Sequence, residues 1–252
     1  MKRNTFQTLY IRRYLLIRVN LFKKLTKMSV LFMVFSLIFI WFIGIYNANL
    51  KITGYELIIN YNSSIKDFLS ETSEIVVLVG VLFAIILSLL EIDNQVASFD
   101  AFYIVHFGRM NYHNSKLIAY SIIISTYITY LFLGIALIYL YRFKNIYYLN
   151  LIFKMYFDTI IYILYFFLIG YNLVLISKNH FSVMIIILIY WFSKIFINNQ
   201  FDKYSKYFLL RLNFDYENFK FGFEINYLYV IINVIVHLFV NSFIYAKKDK
   251  KC

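Results

Sequence analysis

Apolar residues run along this chain in long unbroken blocks, not in the narrow stripes of a soluble amphipathic helix. Six blocks read as bilayer-crossing helices, each close to the roughly 20 mostly apolar residues that a crossing needs. They cover residues 28–46, 74–90, 117–141, 159–176, 181–197 and 227–246. None alternates apolar with polar positions, as the strands of a membrane β-barrel do. The predicted architecture is an all-α integral membrane protein, one transmembrane domain over residues 1–252 with six spans.

The polar stretches between the blocks have their own patterns. Ahead of the first block, Tyr10, Ile11, Tyr14, Leu15, Leu21, Phe22 and Leu25 share one face of a helix. Arg12, Arg13, Lys23, Lys24 and Lys27 lie opposite. This pattern predicts an interfacial amphipathic helix within residues 1–27, its basic face toward anionic headgroups. Arg18 interrupts the apolar face and has to snorkel. Simple topology-setting charge is the other reading of the same residues. The first block is too long for a cleaved signal sequence, and 27 residues precede it without a convincing small-x-small site after it. Outer connections are expected at 47–73, 142–158 and 198–226. The last is dense in Phe and Tyr and is expected to lie in the membrane interface as short helices, either as a gate or as an aromatic belt.

Composition agrees with the pattern. Of 252 residues 62% are hydrophobic and only 15% charged, with no proline. A soluble domain carries about a quarter charged residues, so a soluble enzyme, a disordered chain and a disulfide scaffold are excluded. The single cysteine, Cys252, cannot form an intrachain disulfide and lacks the residues of a prenylation box. The 28 Phe and 25 Tyr fit the codon usage of an AT-rich genome, so no single aromatic is assigned to base stacking or a cofactor. Nucleic acid is not an expected partner.

Charge sets the orientation. With six spans, the side holding both termini carries Lys2, Arg3, Arg12, Arg13, Arg18, Lys23, Lys24, Lys27, Arg109, Lys116, Lys178, Lys247, Lys248, Lys250 and Lys251. Its acids are Glu91, Asp93, Asp100 and Asp249. Nearly all of the +12 net charge therefore falls on that side, which the positive-inside rule makes cytoplasmic.

Catalytic motifs are missing. None of the seven glycines has Walker A spacing, and no HExxH or GxSxG occurs. His106 and His113 share a loop, but no third ligand completes a zinc site. His237 is the one titratable residue read as lying mid-span, and a hydrogen-bonded packing role is the commoner explanation for such a residue. Asp158 is placed at the edge of span four, and Lys194 near the outer end of span five. Any energy source for transport is expected on another chain.

One connection carries more information. Glu91 to Lys116 starts with an acid at the exit of span two and continues as a short amphipathic stretch, Gln95 to Tyr103. There Phe99, Phe102 and Tyr103 occupy neighbouring helical faces around Asp100. Three aromatics have no reason to face water, so the stretch either lies on the membrane or docks in a groove on a partner. Arg109 follows, and Lys116 enters span three.

This order resembles the membrane subunit of an ABC-2 type ABC transporter. In that family a basic connecting helix precedes span one, and Glu, a coupling helix, Arg and Lys follow span two. The resemblance extends over the whole chain by architecture and over about 26 residues by motif. Where many members have Gly-Thr after the Glu and Pro before the Arg, this chain has Asn94-Gln95 and Phe107-Gly108. The resemblance implies a small bacterial exporter permease in the plasma membrane, moving a peptide, drug or lipid-like substrate, bacteriocin immunity included. It implies no cofactor on this chain, with ATP and Mg held by a separate cytosolic P-loop ATPase, and a second permease, identical or paralogous. Phe99, Asp100, Phe102 and Tyr103 are then the ATPase contacts, and Glu91, Arg109 and Lys116 position the loop, Glu91 and Arg109 through a salt bridge. The alternative class is a non-transporting membrane scaffold or sensor that docks a cytosolic partner. A membrane enzyme is disfavoured by the missing motifs.

Overall fold

In bilayer hydrocarbon no water is available to the backbone, so an apolar chain closes its hydrogen bonds within each segment and becomes helical. The computed structural model describes residues 14–21, 27–53, 61–93, 103–105, 107–144, 146, 148–177, 181, 184–185, 188, 214–215, 220–221 and 227–247. These residues are almost wholly helical. Five long helices are described: α1 (Lys27–Thr53), α2 (Tyr61–Asp93), α3 (Arg109–Phe143), α4 (Leu149–Ser177) and α5 (Tyr227–Lys247). A further helical stretch covers residues 14–21. Four of the helices are long and apolar enough to cross a membrane, over Ser29–Ala48, Asp67–Leu89, Met110–Phe143 and Leu149–Ile176. In α5 the apolar stretch is Val234–Ile244. Of the fifth expected span, 181, 184, 185 and 188 are helical, and the rest lies outside the described residues.

Side-chain pairs fix how the helices run. Ser36 meets Tyr127, Trp41 meets Gly134 and Gly44 meets Ile138, so α1 and α3 are parallel. Phe83 packs on Tyr127 and Phe68 on Phe143, so α2 is antiparallel to α3. Tyr120 packs on Phe167 and Thr129 bonds Tyr156, so α4 is antiparallel to α3 as well. The four apolar helices thus alternate in direction. α2 and α4 are the most deeply buried and share the largest interface. α1 lies at the periphery, with Phe35, Ile38, Phe39 and Phe42 turned outward. That outward apolar face is what a lipid-facing helix presents.

At two places where a hydroxyl enters this core, a neighbouring helix answers it. Ser36 donates its hydroxyl proton to the Phe32 carbonyl one turn back and accepts from the Tyr127 hydroxyl at 2.5 Å. Thr129 does the same, donating to the Ser125 carbonyl and accepting from Tyr156 at 2.9 Å. These two bonds tie α1 to α3 and α3 to α4 in surroundings that offer no competing water.

Two expected boundaries move. α4 begins at Leu149, not near 159, so the α3–α4 connection shrinks to residues 144–148. Lys144 closes α3 in the left-handed conformation (φ 49°), donating its N–H to the Leu140 carbonyl at 3.1 Å. α1 and α2 extend toward each other as far as Thr53 and Tyr61, which shortens the expected 47–73 connection to 54–60. Polar residues such as Lys51, Asp67 and Lys154 end an apolar block without ending a helix, because helical backbone bonding does not depend on side-chain polarity. In the last outer connection, expected to be helical, the described residues pair instead as an antiparallel ladder. Phe214 stands opposite Phe221, and Asp215 opposite Lys220.

Candidate functional site

The end of the bundle where α3 begins gathers the residues singled out in the Glu91–Lys116 connection. Glu91 lies in the last turn of α2 and Arg109 is the first residue of α3. Their side chains, and with them the expected salt bridge, lie outside the described residues, as do Phe99, Asp100 and Phe102. Tyr103 is described, half-buried, within the helical residues 103–105. Gly108 then turns the chain into α3. Its φ of 78° is strongly disfavoured for side-chain-bearing residues. Its N–H donates to the Ile104 carbonyl at 3.0 Å and its own carbonyl accepts from Tyr112 N–H at 3.1 Å.

This turn folds Tyr103 back onto α3. The Tyr103 ring stacks on Tyr112 at 6.0 Å with 4° between planes, and on Phe107 at 6.1 Å. The Lys116 ammonium sits 4.9 Å from the centroid of the Tyr112 ring. Lys116 is only 3% exposed, so its charge sits in an interior where an aromatic face is worth more than in water. Tyr103 and Lys116, far apart in the connection, are thus joined through Tyr112. The helical stretch 14–21 docks on the same corner: buried Asn20 donates from Nδ2 to Ser115 Oγ at 2.8 Å, and Ser115 donates to the Tyr112 carbonyl at 2.6 Å. Leu16 is buried one turn before Asn20, while Tyr14, Leu15 and Arg18 face outward. The stretch therefore has an inward Leu16–Asn20 edge in addition to its outward apolar one. Behind this corner His113 is fully buried and stacks on Tyr171 at 5.9 Å.

Of two titratable residues in the spans, Asp158 differs from its expected surroundings and His237 agrees with them. Asp158 is inside α4, within the apolar segment Leu149–Ile176, and 2% exposed. The expectation placed it at a span edge, and the ten extra residues of α4 are the reason. His237 is hydrogen-bonded across a helix contact, as a packing role requires. Asn172 of α4 donates from Nδ2 to His237 Nδ1 and to the His237 carbonyl, both at 3.2 Å, and Tyr165 meets the imidazole edge-to-face at 5.5 Å. Among the described residues no group of three or more His, Cys, Asp or Glu is arranged to hold a metal.

Sequence reading missed Asn20, Tyr112, Asn172 and Asn241. None belongs to a periodic pattern; Asn20 and Asn172 find their partners far along the chain, at Ser115 and His237, and Tyr112 finds its own nearby, at Tyr103 and Lys116. The only hint was that asparagine is rare inside apolar blocks. Comparison with known protein families, curated proteins and solved structures finds no match.

Proposed function

We propose that this chain is the transmembrane permease subunit of an ATP-driven ABC exporter, with ATP hydrolysed by a separate cytosolic P-loop ATPase. A second permease copy or paralogue completes the pore, and both termini face the cytoplasm of a bacterial cell. In this reading six spans cross the membrane, four of them α1 to α4. The substrate is an amphipathic peptide, drug or lipid-like molecule, consistent with spans that carry few charges.

The observation that carries the reading is the ring column Phe107–Tyr103–Tyr112 with Lys116 on the Tyr112 face. A subunit driven by a separate motor needs a stiff connection from its docking segment into a span. Tyr103 belongs to the segment assigned to the ATPase, and Tyr112 and Lys116 belong to α3. Displacement of the segment Phe99–Tyr103 is passed by ring contact to the first turns of a helix that runs 35 residues through the bundle. Phe99, Asp100 and Phe102 are the ATPase contacts, Tyr103 the link to α3, and Glu91, Arg109 and Lys116 hold the connection. ATP binding on the partner then shifts the population between access states through these contacts.

The test is purification from native membranes in mild detergent, with mass spectrometry of what stays bound. A stoichiometric P-loop ATPase without spans of its own supports the proposal. Its absence from an intact, dimeric preparation overturns it and favours a scaffold that docks another cytosolic protein. Within the complex, Phe99→Ala with Phe102→Ala should uncouple ATP hydrolysis from transport at unchanged protein level, and charge reversal at Arg109 should be partly rescued by reversal at Glu91.

A further inference from the structure

The contact between α4 and α5 contains a group of amides and an imidazole that packing alone does not explain. A carbonyl oxygen only accepts, so the bond to the His237 carbonyl fixes which atom of Asn172 is the NH2. The same NH2 faces His237 Nδ1, which must then be the acceptor. His237 is therefore neutral and carries its proton on Nε2. Asn241 lies one turn further along α5, on the same face as His237. It is 0% exposed, and neither its Oδ1 nor its Nδ2 has a hydrogen-bond partner among the described residues. Asn172 Oδ1, also buried, has none either.

The seam thus holds acceptors at Asn172 Oδ1 and Asn241 Oδ1, and donors at Asn241 Nδ2 and His237 Nε2. All four are uncharged, and they sit among apolar helices where unmade bonds are costly. The hydroxyls of Ser36 and Thr129 are answered from a neighbouring helix, whereas Thr72 Oγ1, like the seam amides, is buried without a hydrogen-bond partner among the described residues. We propose that this seam is a binding subsite for an uncharged amide group of an amphipathic molecule. An amide offers one C=O and one N–H together, which matches the mixture of donors and acceptors. A cation lacks a carboxylate here and an anion lacks a positive charge. In the exporter reading, on which the physiological role rests, the amide belongs to the transported molecule and is met when the α4–α5 contact loosens.

The experiment uses the full chain in nanodiscs, labelled with ¹⁵N-histidine, titrated with N-methyldodecanamide and in parallel with dodecyl methyl ether. The His237 resonances, identified by their loss in His237→Gln, should shift saturably with the amide and not with the ether. In Asn241→Leu the amide affinity should fall by about tenfold, the equivalent of one hydrogen bond. Because Asn241 has no hydrogen-bond partner to lose among the described residues, the same variant should unfold no earlier than the parent. Equal shifts with both amphiphiles, a shift that never saturates, or unchanged affinity in Asn241→Leu would each overturn the proposal, and an early-unfolding variant would mark Asn241 as structural. Amide binding by a chain that retains no ATPase keeps the subsite and removes the exporter reading. A co-purifying ATPase with no amide binding does the reverse.

Discussion

Gly134→Ala tests the packing on which the site depends. A Cβ at Gly134 would stand 1.9 Å from Trp41 Nε1 and about 2.5 Å from two further ring atoms. Ordinary contact begins near 3.4 Å, so the indole has to retreat by about 1.5 Å. The ring is rigid, so no terminal methyl can swing aside, and overpacking of this kind costs about 1–3 kcal/mol. Gly44→Ala is the matched control in the same α1–α3 interface. Its Cβ meets only Ile138 Cδ1, at 3.0 Å, the far end of a flexible side chain. Both substitutions gain the same backbone term of about 0.5–1 kcal/mol from removing glycine, so the difference between them isolates the ring. Gly134→Ala should be less stable than Gly44→Ala by about 1–3 kcal/mol. The assay is reversible unfolding in mixed micelles, read by tryptophan emission. The chain has two tryptophans, so Trp191→Phe leaves Trp41 as the only reporter. Gly134→Ala should also change the folded-state emission of Trp41, and Trp41→Leu should recover stability in the Gly134→Ala background. Equal stability of the two alanine variants, with unchanged emission, would refute the α1–α3 packing described above.

Three further outcomes follow from the same contacts. Asn20→Leu removes the 2.8 Å bond to Ser115, worth about 1 kcal/mol; hydrogen exchange should speed up in residues 14–21 and stay unchanged in α2 and α4, and equal exchange there would argue against docking. Gly108→Ala forces a side chain into a φ of 78° at a cost of about 1–3 kcal/mol; an alanine variant as stable as the parent by the same unfolding assay would show that the turn is not held. Tyr127→Phe should cost only about 0.6 kcal/mol, because Ser36 keeps its own carbonyl acceptor, and adding Ser36→Ala should cost little more; fully additive losses would mean that the two hydroxyls do not pair.

The apolar helices were legible because a bilayer imposes one rule on every span. The ends were less so, since the reading began span four at Thr159 and ended span one at Tyr46, whereas the helices begin at Leu149 and end at Thr53. The candidate residues Glu91, Arg109, Lys116 and the aromatics between them were singled out from local order alone. Their geometry was not, because Tyr103 is turned onto Tyr112 by a single glycine conformation that no periodicity records. Partners far apart in sequence escaped entirely. Asn20 and Ser115 are 95 residues apart, and Asn172 and His237 are 65 apart. Each becomes meaningful only when helix contacts bring it to its partner.

Those contacts also separate two kinds of polar residue inside one apolar core. Ser36 and Thr129 each spend their proton on a carbonyl of their own helix and receive a tyrosine hydroxyl from the next. Nothing further is left to bond, so a ligand has nothing to gain there and the pairs serve to fix helix positions. Asn172 satisfies only its donor side, and Asn241 neither side. Leucine at Asn241 would fill a similar space without stranding an amide among the described residues. The exporter proposal gives the asparagine a use, at a helix contact that opens during the transport cycle. On that proposal the bonds unmade in the closed seam are the ones offered to a substrate when α4 and α5 separate. The same proposal carries motion from Tyr103 and Tyr112 into α3 and on to the seam, by the packing of α4 and α5 on α3. The corner assigned to the motor and the seam assigned to the cargo on that proposal are neighbours in one packed unit, since His113 behind the corner stacks on Tyr171, next to Asn172.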